Sequence, residues 1–226
     1  MTLPRPARPL REGGAAVACG AGLFAAAAAI ERAAGSGVAV SAVLEECGKA
    51  LLLLVWGFYG WESAARGGAP TLSQARRRRE LLLGEARGLS LGLVSIAVFV
   101  AAENLAYFAA FPEAGILTRL AWAVPVHLVA ALLEAVGALL FLRALTLWAQ
   151  RTEARSWLGP ALGCLAWLAS LGGGAAWHTA ANLLVERGLD TKSLVAGSLA
   201  GSTLAVLLFA LFLRRAYIGG FLHGAD

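Results

Sequence analysis

The sequence contains neither HExxH nor GxSxG, and no aspartate falls within its long apolar runs. The common zinc, serine and aspartyl membrane proteases are therefore not matched by motif. A phosphate-cradling loop is missing too: Gly172, Gly173 and Gly174 are followed by no GK[ST] and lie inside an apolar run, where small residues permit close helix approach. Cysteine is scarce. Cys19, Cys47 and Cys164 are odd in number and embedded in apolar sequence, which implies no disulfide framework and predicts small core residues. Charged residues make up only 15% of the 226. The net charge of +5 comes from arginines beside apolar runs rather than interleaved with aromatics, which argues against a nucleic-acid surface. No internal repeat is visible.

What is present is apolar: 59% of residues, with a mean hydropathy of +0.71. Such values lie outside the range of soluble domains and predict an all-α integral membrane protein. Runs long enough to cross a bilayer fall at about 13–30, 38–61, 88–110, 120–149, 158–185 and 193–213. One polytopic domain of about six transmembrane helices accounts for the whole of 1–226. The first run follows Arg5, Arg8 and Arg11 and reads as an uncleaved span rather than a signal peptide, given its length and the spans after it. Arginines and lysines outside the spans number thirteen on the side of the termini, including the ARRRRE stretch, against Arg32, Arg119, Arg187 and Lys192 on the other. The positive-inside rule puts both termini in the cytoplasm. Trp61, Trp148 and Trp157 at the inner boundary and Trp122 and Trp177 near the outer one fit that frame. Arg76 to Arg79 read as a topology determinant and an anionic-lipid contact.

The costly residues lie inside the spans. Each ionisable group near mid-membrane costs roughly 2.5–3.5 kcal/mol, yet Glu45, Glu46 and Lys49 sit within five residues of one another. Glu45 and Lys49 (i, i+4) and Glu46 and Lys49 (i, i+3) share a helix face, so one carboxylate can pair and one is spare. Glu103 and Asn104 lie in the third span, His127 and Glu134 in the fourth, His178 and Asn182 in the fifth. Glu45, Glu103, His127 and His178 each stand about seven residues from the outer end of their span, roughly 10 Å deep at 1.5 Å per residue. Four helices of alternating direction thus deliver carboxylates and imidazoles to one layer. Glu134, two turns deeper than His127 on its face, reads as a supporting carboxylate with Arg143 as a nearby partner.

Two imidazoles and a carboxylate, His127, His178 and Glu103, form a ligand set suited to catalytic zinc, with a neighbouring carboxylate to take a proton from water. The same groups work without metal if a glutamate activates water directly and amides or imidazoles stabilise the oxyanion. Residue types leave both open, as they leave open which of Glu45 and Glu46 is the base. A proton- or cation-coupled transporter is the reading from another class, because Glu and His chains also mark ion paths. It predicts polar groups on both sides of the midplane and broken or repeated spans.

At these residues the chain resembles the PrsW family of bacterial intramembrane proteases, related to the CAAX-protease-like membrane clan. The likeness rests on EECGK at 45–49 (EExxK), FVAAENLAYF at 99–108 (FxxxEN and an aromatic pair), His127, and HTAAN at 178–182 (HxxxN). It covers four of six spans, in order; Glu134 after His127 departs from it. The resemblance implies a multi-pass protein of the bacterial cytoplasmic membrane that hydrolyses a peptide bond of a single-span substrate, such as an anti-sigma factor, on its extracytoplasmic side. It implies Glu45, Glu46, Glu103, His127 and His178 as the catalytic or metal-binding set, with Asn104 and Asn182 in support. Lys49 would neutralise whichever of Glu45 and Glu46 is not the base.

Overall fold

The computed structural model describes residues 7–34, 37–67, 74–111, 116–150 and 157–214. Arg5, Arg151, Arg155 and Arg215, which helped to assign the orientation, lie outside them. Among the described residues all regular structure is helical: α1 (Ala7–Ala34), α2 (Val38–Gly67), α3 (Gln74–Ala110), α4 (Ile116–Gln150), α5 (Leu158–Glu186) and α6 (Thr191–Leu213). The six helices coincide with the six apolar runs but outlast them. α3 starts at Gln74 rather than near residue 88, because Arg, Glu, Leu and Ala are strong helix formers and carry the helix past the apolar stretch that hydropathy detects. Five helices are long and apolar enough to cross a membrane, which fits a multi-pass membrane protein. α2 is the exception. Its 30 residues suffice in length, but Glu45, Glu46 and Lys49 in one half and Glu62 and Arg66 in the other dilute its apolar character.

α4 is the central helix: 56% of its most apolar window is buried, against 17% for α1 and α6. It packs along α5 and α6 and also meets α2, while α2 lies along α3, with α1 against α3. Leu53, Leu54, Leu89, Ile96, Phe99, Ala131, Ala135 and Leu139 fill the space between α2, α3 and α4. The α2–α3 contact is made by backbone. Gly84, Gly88 and Gly92 of α3 recur every four residues and face Gly57, Gly60 and Leu53 of α2, and a Cβ on Gly88 would collide with the Trp56 carbonyl. Such small-xxx-small spacing lets helices approach closely where apolar burial gives no preference for one helix over lipid. Trp56 Nε1 donates to Ser95 Oγ at 3.0 Å across the same pair.

Other expectations change in detail. Cys19 and Cys47 are exposed rather than core residues, and Cys164 is half-buried; in an apolar surrounding a cysteine is as much at home on the outer face as inside. Of the three successive glycines Gly174 lies closest to another helix, where an added Cβ would meet Glu134 and Ala130 of α4, whereas one on Gly172 would meet nothing within 4 Å. Pro125 lies inside α4, in its first third and two residues before His127. α5 ends in a Schellman turn: Gly188 adopts φ 75°, its N–H reaches the Val185 carbonyl, and the Leu189 N–H reaches that of Leu184. Asp190 then caps α6, accepting from the Ser193 N–H at 3.0 Å. Hydrogen bonds from the Ser193 side chain and backbone hold the Asp190 carboxyl below the usual carboxylate range.

Candidate functional site

α2 presents Glu45, Glu46 and Lys49 on the face that meets α4 and α5. Glu46 and Lys49 are fully buried, and Glu45, His127 and His178 nearly so. Ligand atoms of Glu45, Glu46, His127 and His178 all lie within 4.8 Å of one another. Three helices, α2, α4 and α5, therefore bring two carboxylates and two imidazoles to one point; of the four residues expected at one depth, Glu45, His127 and His178 are in this group and Glu103 of α3 is not. The imidazoles meet edge to face with centroids 4.6 Å apart.

The contacts assign roles. Lys49 Nζ pairs with Glu46 Oε1, and His178 Nδ1 lies 2.6 Å from that same oxygen. Lys49 therefore neutralises Glu46, its i, i+3 neighbour, and the spare carboxylate is Glu45. Its Oε2 is 3.8 Å from His178 Nδ1 and has no hydrogen-bond partner among the described residues. Glu46 Oε2 also lacks one. The ammonium lies 3.2 Å from His127 Nδ1 as well and 5.5 Å from the centroid of the Phe99 ring. An ammonium only donates, so Nδ1 accepts and the neutral His127 ring carries its proton on Nε2. Nε2 in turn lies 2.9 Å from Glu103 Oε2. His178 shows the opposite tautomer at Nδ1, because a carboxylate can only accept there.

Not every expected residue converges. Glu103 approaches from α3 behind His127 and is not one of the four whose ligand atoms cluster. That is the place of a carboxylate that orients a metal-ligating or catalytic histidine rather than of a ligand. Asn104 is buried, but its Nδ2 donates to the Val100 carbonyl at 2.8 Å, one turn back on its own helix. Asn182 is half-buried, one turn beyond His178. Glu134 is fully buried beside Glu46 and Lys49, with no hydrogen-bond partner for either oxygen among the described residues. Arg143, the partner expected for it, instead lies 3.7 Å from Glu85. The residue that sequence reasoning missed is Arg119, read only as a marker of the outer side, whose Nη2 donates to Glu103 Oε1 at 3.0 Å. No periodicity reveals that pair, since it joins α3 to α4 across 16 residues of chain.

Two imidazoles, two carboxylates and buried carboxylate oxygens without partners form a donor set that fits a divalent cation of zinc type. Lys49 already contacts two of the four groups, so a cation and the ammonium compete for the same oxygen and nitrogen. Comparison with known proteins finds no relative: no family model, no curated protein and no solved structure matches the chain.

Proposed function

We propose that the chain is an intramembrane endopeptidase: a single polytopic domain with six spans, both termini cytoplasmic, in the bacterial cytoplasmic membrane. It hydrolyses a peptide bond of a single-span, membrane-tethered protein near the outer leaflet. An anti-sigma factor is the kind of substrate implied by the likeness to the PrsW family. The observation that carries this reading is the convergence of Glu45, Glu46, His127 and His178, buried and ordered by Lys49, in a chain that otherwise spends its length on apolar helix. Buried ionisable groups in such a setting are costly, and a site of chemistry explains their clustering.

Glu45 is the general base in this reading. Its Oε2 is unpartnered, and of the two adjacent carboxylates it alone keeps some exposure, 11% of its side chain against none for Glu46. It takes a proton from water as the water oxygen attacks the scissile carbonyl carbon, and returns that proton to the amine nitrogen as the C–N bond breaks. Glu46, fixed by Lys49 and His178, keeps both donors in place. Asn182, half-buried one turn beyond His178, would donate to the oxyanion. Glu46, His127 and His178 would hold zinc, which when bound polarises a carbonyl and acidifies water, and would leave Glu45 free as the base. The metal-free alternative, a glutamate-type protease, is favoured by the ammonium of Lys49 already lying among the same donors.

The test is cleavage of a model single-span substrate by protein reconstituted in vesicles, with elemental analysis of the same preparations. Glu45→Gln should lower the rate about 10²–10⁴-fold while leaving the helical bundle folded; an unchanged rate removes Glu45 from the mechanism. Zinc near one per chain, lost with activity in His178→Ala, supports the metalloprotease form. Zinc-free wild type that cleaves supports the glutamate form, and wild type that never cleaves overturns the protease reading.

A further inference from the structure

Arg119 is one of four cations read from sequence as plain markers of the outer side, yet its side chain is only 14% exposed. Its guanidinium stacks 3.6 Å from the centroid of the Tyr107 ring and lies 5.4 Å from that of Trp122. A guanidinium serving only to fix topology would extend into water, where it is best hydrated. This one is folded inward and donates through Nη2 to Glu103 Oε1 at 3.0 Å. The other oxygen of that carboxylate is the one 2.9 Å from His127 Nε2. Arg119 and His127 both belong to α4, eight residues apart, so a single carboxylate from α3 bridges two turns of α4. Beyond His127 the contacts continue to Lys49, Glu46 and His178.

We propose that Arg119 is a positioning residue that acts through Glu103 to set the ring orientation and tautomer of His127; the proposal rests on the reading of the His127 cluster as the active site. A carboxylate with two free oxygens can swing about its last bond and present either one. Held at Oε1 by a planar donor that is itself fixed against an aromatic face, it can present only Oε2 to the imidazole. That keeps the proton on Nε2 and the lone pair of Nδ1 directed at the cluster around Lys49 and Glu46. The aromatic stack is essential to the device, because Arg119 Nε has no hydrogen-bond partner among the described residues and the guanidinium is held by Tyr107 as much as by Glu103. A lysine at the same place keeps the charge and loses both the fork and the stack.

The test uses the full chain, labelled with ¹⁵N-histidine in lipid nanodiscs, as wild type and as Arg119→Lys, Arg119→Gln and Glu103→Gln. The wild-type His127 spectrum should show a protonated Nε2 and a bare Nδ1. Arg119→Gln should turn it into a mixture of tautomers, Arg119→Lys should lie between the two, and the His178 signals should stay in place in all. In the cleavage assay Arg119→Gln should lower kcat about 10–100-fold with KM unchanged, and should add nothing in a Glu103→Gln background. An unaltered His127 spectrum in folded Arg119→Gln protein overturns the proposal, as do losses that multiply with those of Glu103→Gln. If wild type cleaves nothing, the protease reading fails while the spectra still decide the role of Arg119.

Discussion

Two sets of buried charges lie at different heights in the same bundle, and they are built on different rules. Toward the chain end of α1, Glu12 is paired with Arg87 and accepts from Tyr59 at 2.9 Å, and Glu85 faces Arg143 and Thr146. Each carboxylate there has its own guanidinium. In the other layer Glu45, Glu46, Glu103 and Glu134 share Lys49, Arg119 and two imidazoles, and unpartnered carboxylate oxygens remain. A matched pair neutralises itself and serves to dock helices. An excess of one sign, held where water and lipid cannot relieve it, is costly, and it is where the proposed chemistry would act. The polar groups are thus not confined to one layer, and Glu85 Oε2 lacks a hydrogen-bond partner too, but of the two sets it is the second in which carboxylates outnumber lysine and arginine.

That contrast can be broken. The largest effect belongs to Lys49→Met, which strips the crowded layer of its buried cation and should cost about 3–5 kcal/mol of stability, read by denaturant titration in detergent. Adding Glu46→Gln to it should restore most of the loss. If the single variant is as stable as wild type, the layer is not held by charge. Gly88→Ala comes next: a methyl group against the Trp56 carbonyl should destabilise the α2–α3 contact by about 1–3 kcal/mol in the same titration. Smallest is Arg87→Gln, where Arg87 is about half exposed and Glu12 keeps Tyr59, so roughly 1 kcal/mol or less is expected. Cleavage per folded molecule should not change. Abolished cleavage in folded Arg87→Gln protein would show that the balanced end is also part of the site and would dissolve the distinction.

The six helices were legible because a bilayer demands unbroken apolar runs, and the candidate-site residues because polar groups inside such runs stand out by their cost. Which carboxylate Lys49 takes was not legible: the i, i+3 and i, i+4 spacings are equivalent on a helical wheel, and the imidazole of His178 from α5 breaks the tie toward Glu46. Nor was the place of Glu103, since depth alone does not separate the near side of His127 from its far side. Arg119 escaped because loop cations serve topology by number, whereas its role depends on Tyr107 and Glu103 lying across from it. The glycines at 84, 88 and 92 carried a readable signal, the four-residue spacing of small side chains, half hidden in sequence that hydropathy assigns to a loop.

The seam those glycines make lies along the C-terminal half of α2 and the N-terminal half of α3, while Glu46 stands eleven residues from Gly57 and Glu103 eleven from Gly92. Two stiff rods clamped at one end form a lever. At 1.5 Å per residue the arm from Gly57 to Glu46 is about 16 Å, so a tilt of about 4° about the clamp moves the carboxylates by about 1 Å. A shift of that size is enough to change a rate about a hundredfold. A backbone contact remote from Glu45 and Glu46 would therefore act on their alignment with the histidines through the helix axis alone.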